Sequence, residues 1–208
     1  TTVIPIKEFS PNHYLLMSTR MGLVKKTELT EYDSSRRTGL LAISLKENDE
    51  LIAVRLTNGK REVVIGTKKG YAIRFDEGDV RPMGRTAMGV KGIQLREGDE
   101  VVGTDLVQEN AYLLAISKKG YGKMTSLDEY RTQARGGKGV TTYNIRKKTG
   151  DLVGIRIVTK EDEIMLINNQ GTIIRLEVDG ISEMGRSTQG VTLMRNLGDE
   201  EIVNAAKV

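Results

Sequence analysis

The chain has no cysteine, no tryptophan, a single histidine and three prolines in 208 residues. Without cysteine there are no disulfides, no thiolate zinc sites and no cysteine nucleophile, which fits a reducing compartment. One histidine, His13, leaves little room for a histidine metal site or a Ser-His-Asp triad. It follows Pro11-Asn12 and reads as a passive turn residue. No run of 18 apolar residues is present, so no transmembrane helix is expected. Thr1 to Phe9 lacks the basic start and long apolar stretch of a signal peptide. With 38% hydrophobic residues, the length suits one domain or one repeat array with a sizeable core.

Charge is modest in total and uneven along the chain. The net is +4, from 32 basic and 28 acidic residues. Residues 1–50 sum to 0, 51–100 to +3, 101–150 to +5 and 151–208 to −4. Within Lys118–Lys148, nine basic residues face only Asp128 and Glu129. A local field of that size attracts phosphate.

Internal repetition sets the organisation. Apolar runs followed by glycine turns end at Gly22, Gly70, Gly120 and Gly171, spaced 48, 50 and 51 residues apart. A second glycine set, Gly39, Gly89, Gly139 and Gly190, is spaced 50, 50 and 51. Acidic turns precede apolar strands at Asp49-Glu50, Asp99-Glu100, Asp151 and Glu201. Three registers agreeing over four copies indicate a solenoid or propeller-like array. The expected repeats are residues 10–57, 58–106, 107–158 and 159–208, with 1–9 as the end of a preceding repeat and Val3-Ile4-Pro5-Ile6 as its strand. The chain therefore reads as a partial array.

Each repeat reads as β: short runs of Val, Ile, Leu and Thr bounded by Gly, Asn, Asp or Lys turns. The expected class is all-β, with about four strands per repeat, including Val90–Leu95 and Val191–Met194, and at most single helical turns such as Leu127–Arg131. Helix should stay under about a tenth of the chain, against the usual third.

The loops before the second glycine set carry the candidate chemistry: Ser34-Ser-Arg-Arg-Thr-Gly39, Met83-Gly-Arg-Thr-Ala-Met-Gly89, Gln133-Ala-Arg-Gly-Gly-Lys-Gly139 and Gly185-Arg-Ser-Thr-Gln-Gly190. Glycines let backbone N–H groups approach a phosphate, and arginine or lysine neutralises it. Recurring every 50 residues or so, Arg36, Arg37, Arg85, Arg135 and Arg186 would form a basic track along one rim. In the third loop, Arg135 and Lys138 would meet one phosphate group, and an exposed loop supports little packing, so replacing both should leave the fold intact. The pairs Lys25-Lys26, Lys68-Lys69 and Lys118-Lys119 are read as hairpin-tip lysines, serving solubility or adding phosphate contacts.

Gln133-Ala-Arg-Gly-Gly-Lys-Gly139 resembles the gyrase-A box, Gln-Arg-Arg-Gly-Gly-Lys-Gly, of the family of C-terminal domains from the DNA gyrase A protein. Gly22-Leu-Val-Lys-Lys-Thr27, Val80-Arg-Pro-Met-Gly-Arg85, Gly120-Tyr-Gly-Lys123 and Gly185-Arg-Ser-Thr-Gln-Gly-Val191 are similar to it too. The resemblance implies a β-pinwheel, six-bladed in the family, of which this chain would hold about four blades. It implies a basic rim that wraps double-stranded DNA without sequence preference and supports ATP-dependent negative supercoiling. It carries Gln133, Arg135, Gly136, Gly137, Lys138 and Gly139 over as DNA-binding. Ala134 stands where the family box has arginine. The box lies in the third repeat rather than a first blade, so it is either the functional box or a secondary copy. The implied partners are the rest of the gyrase A protein and the gyrase B protein, in an A2B2 assembly of the cytoplasm and nucleoid, with no membrane. ATP and magnesium would serve other parts of that enzyme, and no cofactor or catalytic residue is expected here. The alternatives are the related domain of topoisomerase IV and a propeller-like protein-interaction scaffold.

Other chemistry fits poorly. The loop at 136–139 lacks the spaced first glycine and Lys-Ser/Thr ending of a nucleotide-binding loop. The acidic pairs recur at strand entries and read as solvated turns, and Tyr14, Tyr112 and Tyr121 sit in or beside hairpin strands.

Overall fold

The computed structural model describes residues 3–34, 38–195 and 198–208. Fifteen strands follow in order: β1 (Tyr14–Thr19), β2 (Leu23–Glu28), β3 (Leu51–Thr57), β4 (Glu62–Thr67), β5 (Tyr71–Asp76), β6 (Val90–Lys91), β7 (Val101–Leu106), β8 (Tyr112–Ser117), β9 (Tyr121–Ser126), β10 (Val140–Thr141), β11 (Leu152–Val158), β12 (Glu163–Asn168), β13 (Ile173–Glu177), β14 (Val191–Thr192) and β15 (Ile202–Lys207). Helical structure among the described residues is four single 3-10 turns, Leu29–Tyr32, Glu77–Asp79, Leu127–Glu129 and Val178–Gly180. No helix is long and apolar enough to cross a membrane.

The strands make four antiparallel sheets, one per repeat, but the sheets do not respect repeat boundaries. Their orders are β3-β1-β2-β6, β10-β5-β4-β7, β11-β8-β9-β14 and β13-β12-β15. Each repeat supplies a hairpin and a long strand that pairs beside it. The fourth strand of a blade comes from the next repeat: β6 pairs with β2, β10 with β5, and β14 with β9. This strand exchange makes the array a pinwheel rather than a row of independent blades.

The invading strands are shorter than the sequence suggests. Val90–Leu95 and Val191–Met194 reduce to β6 and β14, of two residues each. The cause is local: the N–H groups of Gly92 and Ile93 both turn to the Gly22 carbonyl, and those of Leu193 and Met194 to the Gly120 carbonyl, which leads the chain off the ladder. Residues 3–6 form no strand, and Pro5 among them has no N–H to give to a ladder. Ile4 and Ile6 instead pack on Leu15, Met17, Leu29 and Ile43.

Alternate faces of each hairpin enter different cores. Leu113 and Ala115 pack with Val64 and Ala72 of the preceding repeat. Leu114 and Ile116 pack with Ile164, Leu166 and Val178 of the following one. Burial on both faces explains why β4 and β8 read as continuous apolar runs instead of alternating ones. Each long strand shifts register against its hairpin near the hairpin tip, at Ser18/Thr19, Gly66/Thr67, Leu152/Gly154 and Ile167/Asn168. Such bulges add twist and stop the ladder from running flat.

The second glycine set is where the exchange is closest. Gly139 has φ +67°, and a Cβ there would lie 2.5 Å from the Ala72 carbonyl oxygen. Gly89 and Gly190 meet Val24 and Gly122 in the same way, whereas a Cβ on Gly39 would touch nothing within 4 Å. Gly139→Ala should therefore destabilise the chain by about 2–4 kcal/mol, from left-handed strain plus overpacking, and Gly39→Ala by only about 1 kcal/mol. Denaturant unfolding of the two variants checks this; equal losses would remove the contact from the explanation.

Candidate nucleic-acid interface

The arginine loops follow one bonding scheme in three repeats. In each, the arginine Nη1 donates to a carbonyl of the preceding repeat: Arg85 to Leu41 at 3.3 Å, Arg135 to Lys91 at 2.6 Å and Arg186 to Thr141 at 3.2 Å. In each, the same residue's backbone N–H donates to a carboxylate of the preceding repeat: Glu31 at 3.1 Å, Asp79 at 3.3 Å and Glu129 at 3.1 Å. A further rung joins the N–H groups of Ser44, Gln94 and Asn144 to the carbonyls of Ala87, Gly137 and Thr188. These three loops thus lie over the preceding blade, half-exposed, at a fixed place on their repeats. Arg36 and Arg37 fall outside the described residues.

The box-like loop departs from this scheme at its glycines. Gly136 takes φ +82° and donates to the Gly92 carbonyl at 2.8 Å. Gln133 N–H bonds to the Arg74 carbonyl, and its side-chain amide nitrogen is buried without a partner. Lys138 is exposed. Its carbonyl accepts from Arg96, which also stacks over the Tyr71 ring. Arg81 and Arg135 line one shallow hollow of about 240 Å³ with Asp79, Pro82, Met83 and Val90. Arg135 is therefore not the free loop cation that its sequence context suggests. Its guanidinium also donates from Nε to the Asp79 carbonyl, so it joins two repeats while standing on the rim. Arg81, Lys91 and Arg131 are exposed beside these loops and belong to the same basic surface.

The lysine pairs separate into two classes. Lys25 and Lys26 are not at a hairpin tip: they lie within β2 and are buried. Lys25 Nζ donates to the carbonyls of Ala42 and Arg85, while Lys26 Nζ donates to the Glu77 carbonyl at 2.8 Å, with a Glu77 carboxylate oxygen 3.9 Å away. Strand alternation places neither in solvent, because both faces of β2 are covered by blades or loops. Lys68, Lys69, Lys118 and Lys119 are at the tips, but they are engaged there. Lys68 pairs with Glu100 at 3.1 Å and Lys118 with Glu201 at 2.8 Å. Lys69 and Lys119 donate to the carbonyls of Glu97 and Lys147. The acidic turns are more than solvated surface: Asp99 accepts from the N–H groups of Lys69 and Glu100 and from the Thr67 hydroxyl, and buried Asp49 holds Met21 and Glu50 alike.

The residue that sequence reading missed is Lys123, three places after the tip glycine, where Lys25 also stands. It is fully buried, and its Nζ donates to the carbonyls of Gly185 and Arg186 and to the Thr188 hydroxyl, at 2.5, 2.8 and 2.9 Å. The matching offset from Gly22 and Gly120 was the available signal. Burial lowers the ammonium pKa of both Lys25 and Lys123 to about 8. Burial likewise raises the phenols of Tyr130 and Tyr143 to about 12.

Comparison with known proteins follows the same repeat pattern. A family model described as the DNA gyrase C-terminal domain, β-propeller, matches residues 13–58, 61–108, 111–159 and 162–208. The chain belongs to the DNA gyrase C-terminal domain family. It is 61% identical over its full length to the DNA gyrase A protein of Halalkalibacterium halodurans, spanning 25% of that protein. Among solved structures, it is similar to the C-terminal domain of a DNA topoisomerase IV, with TM-score 0.93 and 32% identity over 99% of this chain and 64% of that one. A DNA gyrase A C-terminal domain gives TM-score 0.88 and 31% identity over 97% and 68%. The all-β pinwheel reading of the repeats stands within this family.

The buried lysines and tyrosines bend the stability profile in opposite senses. Between pH 8 and 10.5 the unfolded chain holds protons on Lys25 and Lys123 that the folded chain has released, so stability should rise with pH there. Between pH 10 and 12 the folded chain keeps protons on Tyr130 and Tyr143 that the unfolded chain has lost, so stability should fall. Melting across this range should peak near pH 10, and the rise should shrink markedly in Lys25→Met/Lys123→Met, the remainder coming from Lys26, whose pKa burial also lowers. A rise of the same size in that double variant would place its origin elsewhere.

Proposed function

We propose that this chain is a DNA-binding module of a gyrase A protein, on whose basic rim duplex DNA wraps in a chiral sense. The observation that carries the reading is the arginine loop, which recurs at the repeat interval with the same bonding in three successive repeats and so spaces cations along one edge. The inter-repeat hydrogen bonds hold those loops before any ligand arrives, which lowers the ordering cost of binding. Lysine and arginine on backbone phosphates read no base edges, so sequence preference is weak. Among the described residues the rim carries no convergent acid, base or nucleophile set. Strand passage and ATP hydrolysis belong to the rest of the gyrase A protein and to the gyrase B protein, partners in an A2B2 enzyme working at the nucleoid.

Among the predicted contacts, Lys138, Arg135, Arg85 and Arg186 on the loops outweigh Lys68, Lys69, Lys118 and Lys119, whose charges are answered by carboxylates and carbonyls at the tips. Lys25 and Lys26 drop out as direct contacts because they are buried. The 0.93 similarity to a topoisomerase IV C-terminal domain sustains one second reading, that the chain is the related domain of a topoisomerase IV. Ligating nicked circular DNA with the chain and measuring linking number separates them. A positive shift supports wrapping, and binding without a shift supports the second reading.

DNA affinity should fall steeply with salt, with a log–log slope of about −0.9 for each phosphate neutralised. Lys138→Ala should leave unfolding unchanged within about 0.5 kcal/mol and reduce the slope by about one contact. Arg135→Ala should weaken DNA binding as well, but it should also cost about 1–2 kcal/mol of stability, since it removes hydrogen bonds joining two repeats. A salt-insensitive complex, or a Lys138→Ala variant that binds like the parent, would contradict this placement of the contacts.

A further inference from the structure

We infer that Lys25 and Lys123 are positioning residues that set the arginine loop of the following repeat from beneath, without touching DNA. Both are fully buried, yet neither has a carboxylate partner within ion-pair distance among the described residues. A buried ammonium is costly unless its protons are satisfied. Here they are satisfied by loop groups: Arg85 and Ala42 carbonyls for Lys25, and Gly185, Arg186 and Thr188 oxygens for Lys123. Each lysine reaches the very arginine whose guanidinium stands on the rim.

The remaining repeat supplies an internal control. The residue at the same offset is Ile73, which cannot donate, and the loop above it is Gln133–Gly139. The two pinned loops close a turn from Ala87 N–H to the Gly84 carbonyl and from Thr188 N–H to the Gly185 carbonyl. The unpinned loop turns at the same place, over Arg135 and Gly136, with Ala134 and Gly137 at the corresponding ends, and a Cβ on Gly137 would lie 3.5 Å from Ile73 Cδ1. Where the lysine is present, the two residues after the arginine carry side chains, Thr86-Ala87 and Ser187-Thr188. Where it is absent, glycines let the loop settle on an apolar side chain. The rim thus carries two loop types, a lysine-set pair at 83–89 and 185–190 and a glycine-set one at 133–139.

This inference rests on the DNA-binding reading for its consequence, but not for its test. In the DNA-free chain, hydrogen exchange in Lys123→Met should be about tenfold or more faster at residues 185–190 and unchanged at 133–139. Lys25→Met should do the same at 83–89. On the unsubstituted chain, acylation by an N-hydroxysuccinimide ester, mapped by mass spectrometry, should modify Lys138 readily and leave Lys25 and Lys123 unmodified with or without duplex DNA. Lys123→Met should then weaken duplex binding about threefold to tenfold through loss of loop preorganisation.

Unchanged exchange at 185–190 in Lys123→Met overturns the inference. So does a Lys123 that acylates like Lys138 and becomes protected when DNA is added, since that marks a direct contact. If a substitution unfolds the chain, the acylation pattern of the parent decides alone. If the parent binds no DNA while the exchange pattern appears as stated, the positioning role stands and the DNA reading fails.

Discussion

The structure depends on one exchange: a two-residue strand from each repeat completes the blade of the repeat before it. β6, β10 and β14 are too short to form alone, and each is held where a glycine lets its backbone lie against a neighbouring carbonyl. Because the strand is short, the loop that leads into it must follow its position closely. The arginine loops inherit their placement from this pairing. A change in how two blades meet therefore moves a rim loop, and a change in a rim loop reaches the joint between blades.

Charge in the molecule is spent unevenly. Lys68 and Lys118 pair with carboxylates of the acidic turns, and such exposed pairs contribute little to stability, typically about 0–1 kcal/mol each. Lys25 and Lys123 carry charge into the interior, where burial opposes it and loop carbonyls compensate. The outward field comes from the loop arginines, Lys138 and the exposed Arg81, Lys91 and Arg131, and also from the exposed Lys69, Lys119, Arg146, Lys147 and Lys148. In the fourth repeat, Glu129 sits 3.8 Å from Arg186 and offsets part of that field, which grades the rim along the array.

Packing reinforces the same coupling. Three of the four cores are each shared by two successive repeats, with Leu114 and Ile116 facing one neighbour and Leu113 and Ala115 the other, while the buried residues of the fourth core all come from the first repeat. Through the shared cores stability propagates from repeat to repeat as in other stacked arrays. A buried hydrogen bond between the hydroxyls of Ser18 and Thr104, 2.7 Å long, ties the first two repeats at the inner strands. Rigidity between blades is what allows a row of loops to act as one surface.

The sequence by itself determined the repeat length, the β class, the hairpin tips at Gly22, Gly70, Gly120 and Gly171, and the recurring arginine loops, because each depends on residues close together in the chain. Glycine spacing and apolar runs are local signals, and they survive into the fold unchanged. Tertiary structure alone decided which cations face outward. Lys25 reads as a hairpin-tip lysine and Lys123 draws no reading of its own, and only the loop arriving from the next repeat, sixty residues or so away in sequence, buries them. Arg135 reads as a free loop cation, and only the approach of Lys91 and Asp79 gives it a structural partner. Exposure is set by what packs against a residue, and in a strand-exchanged array that neighbour comes from another repeat.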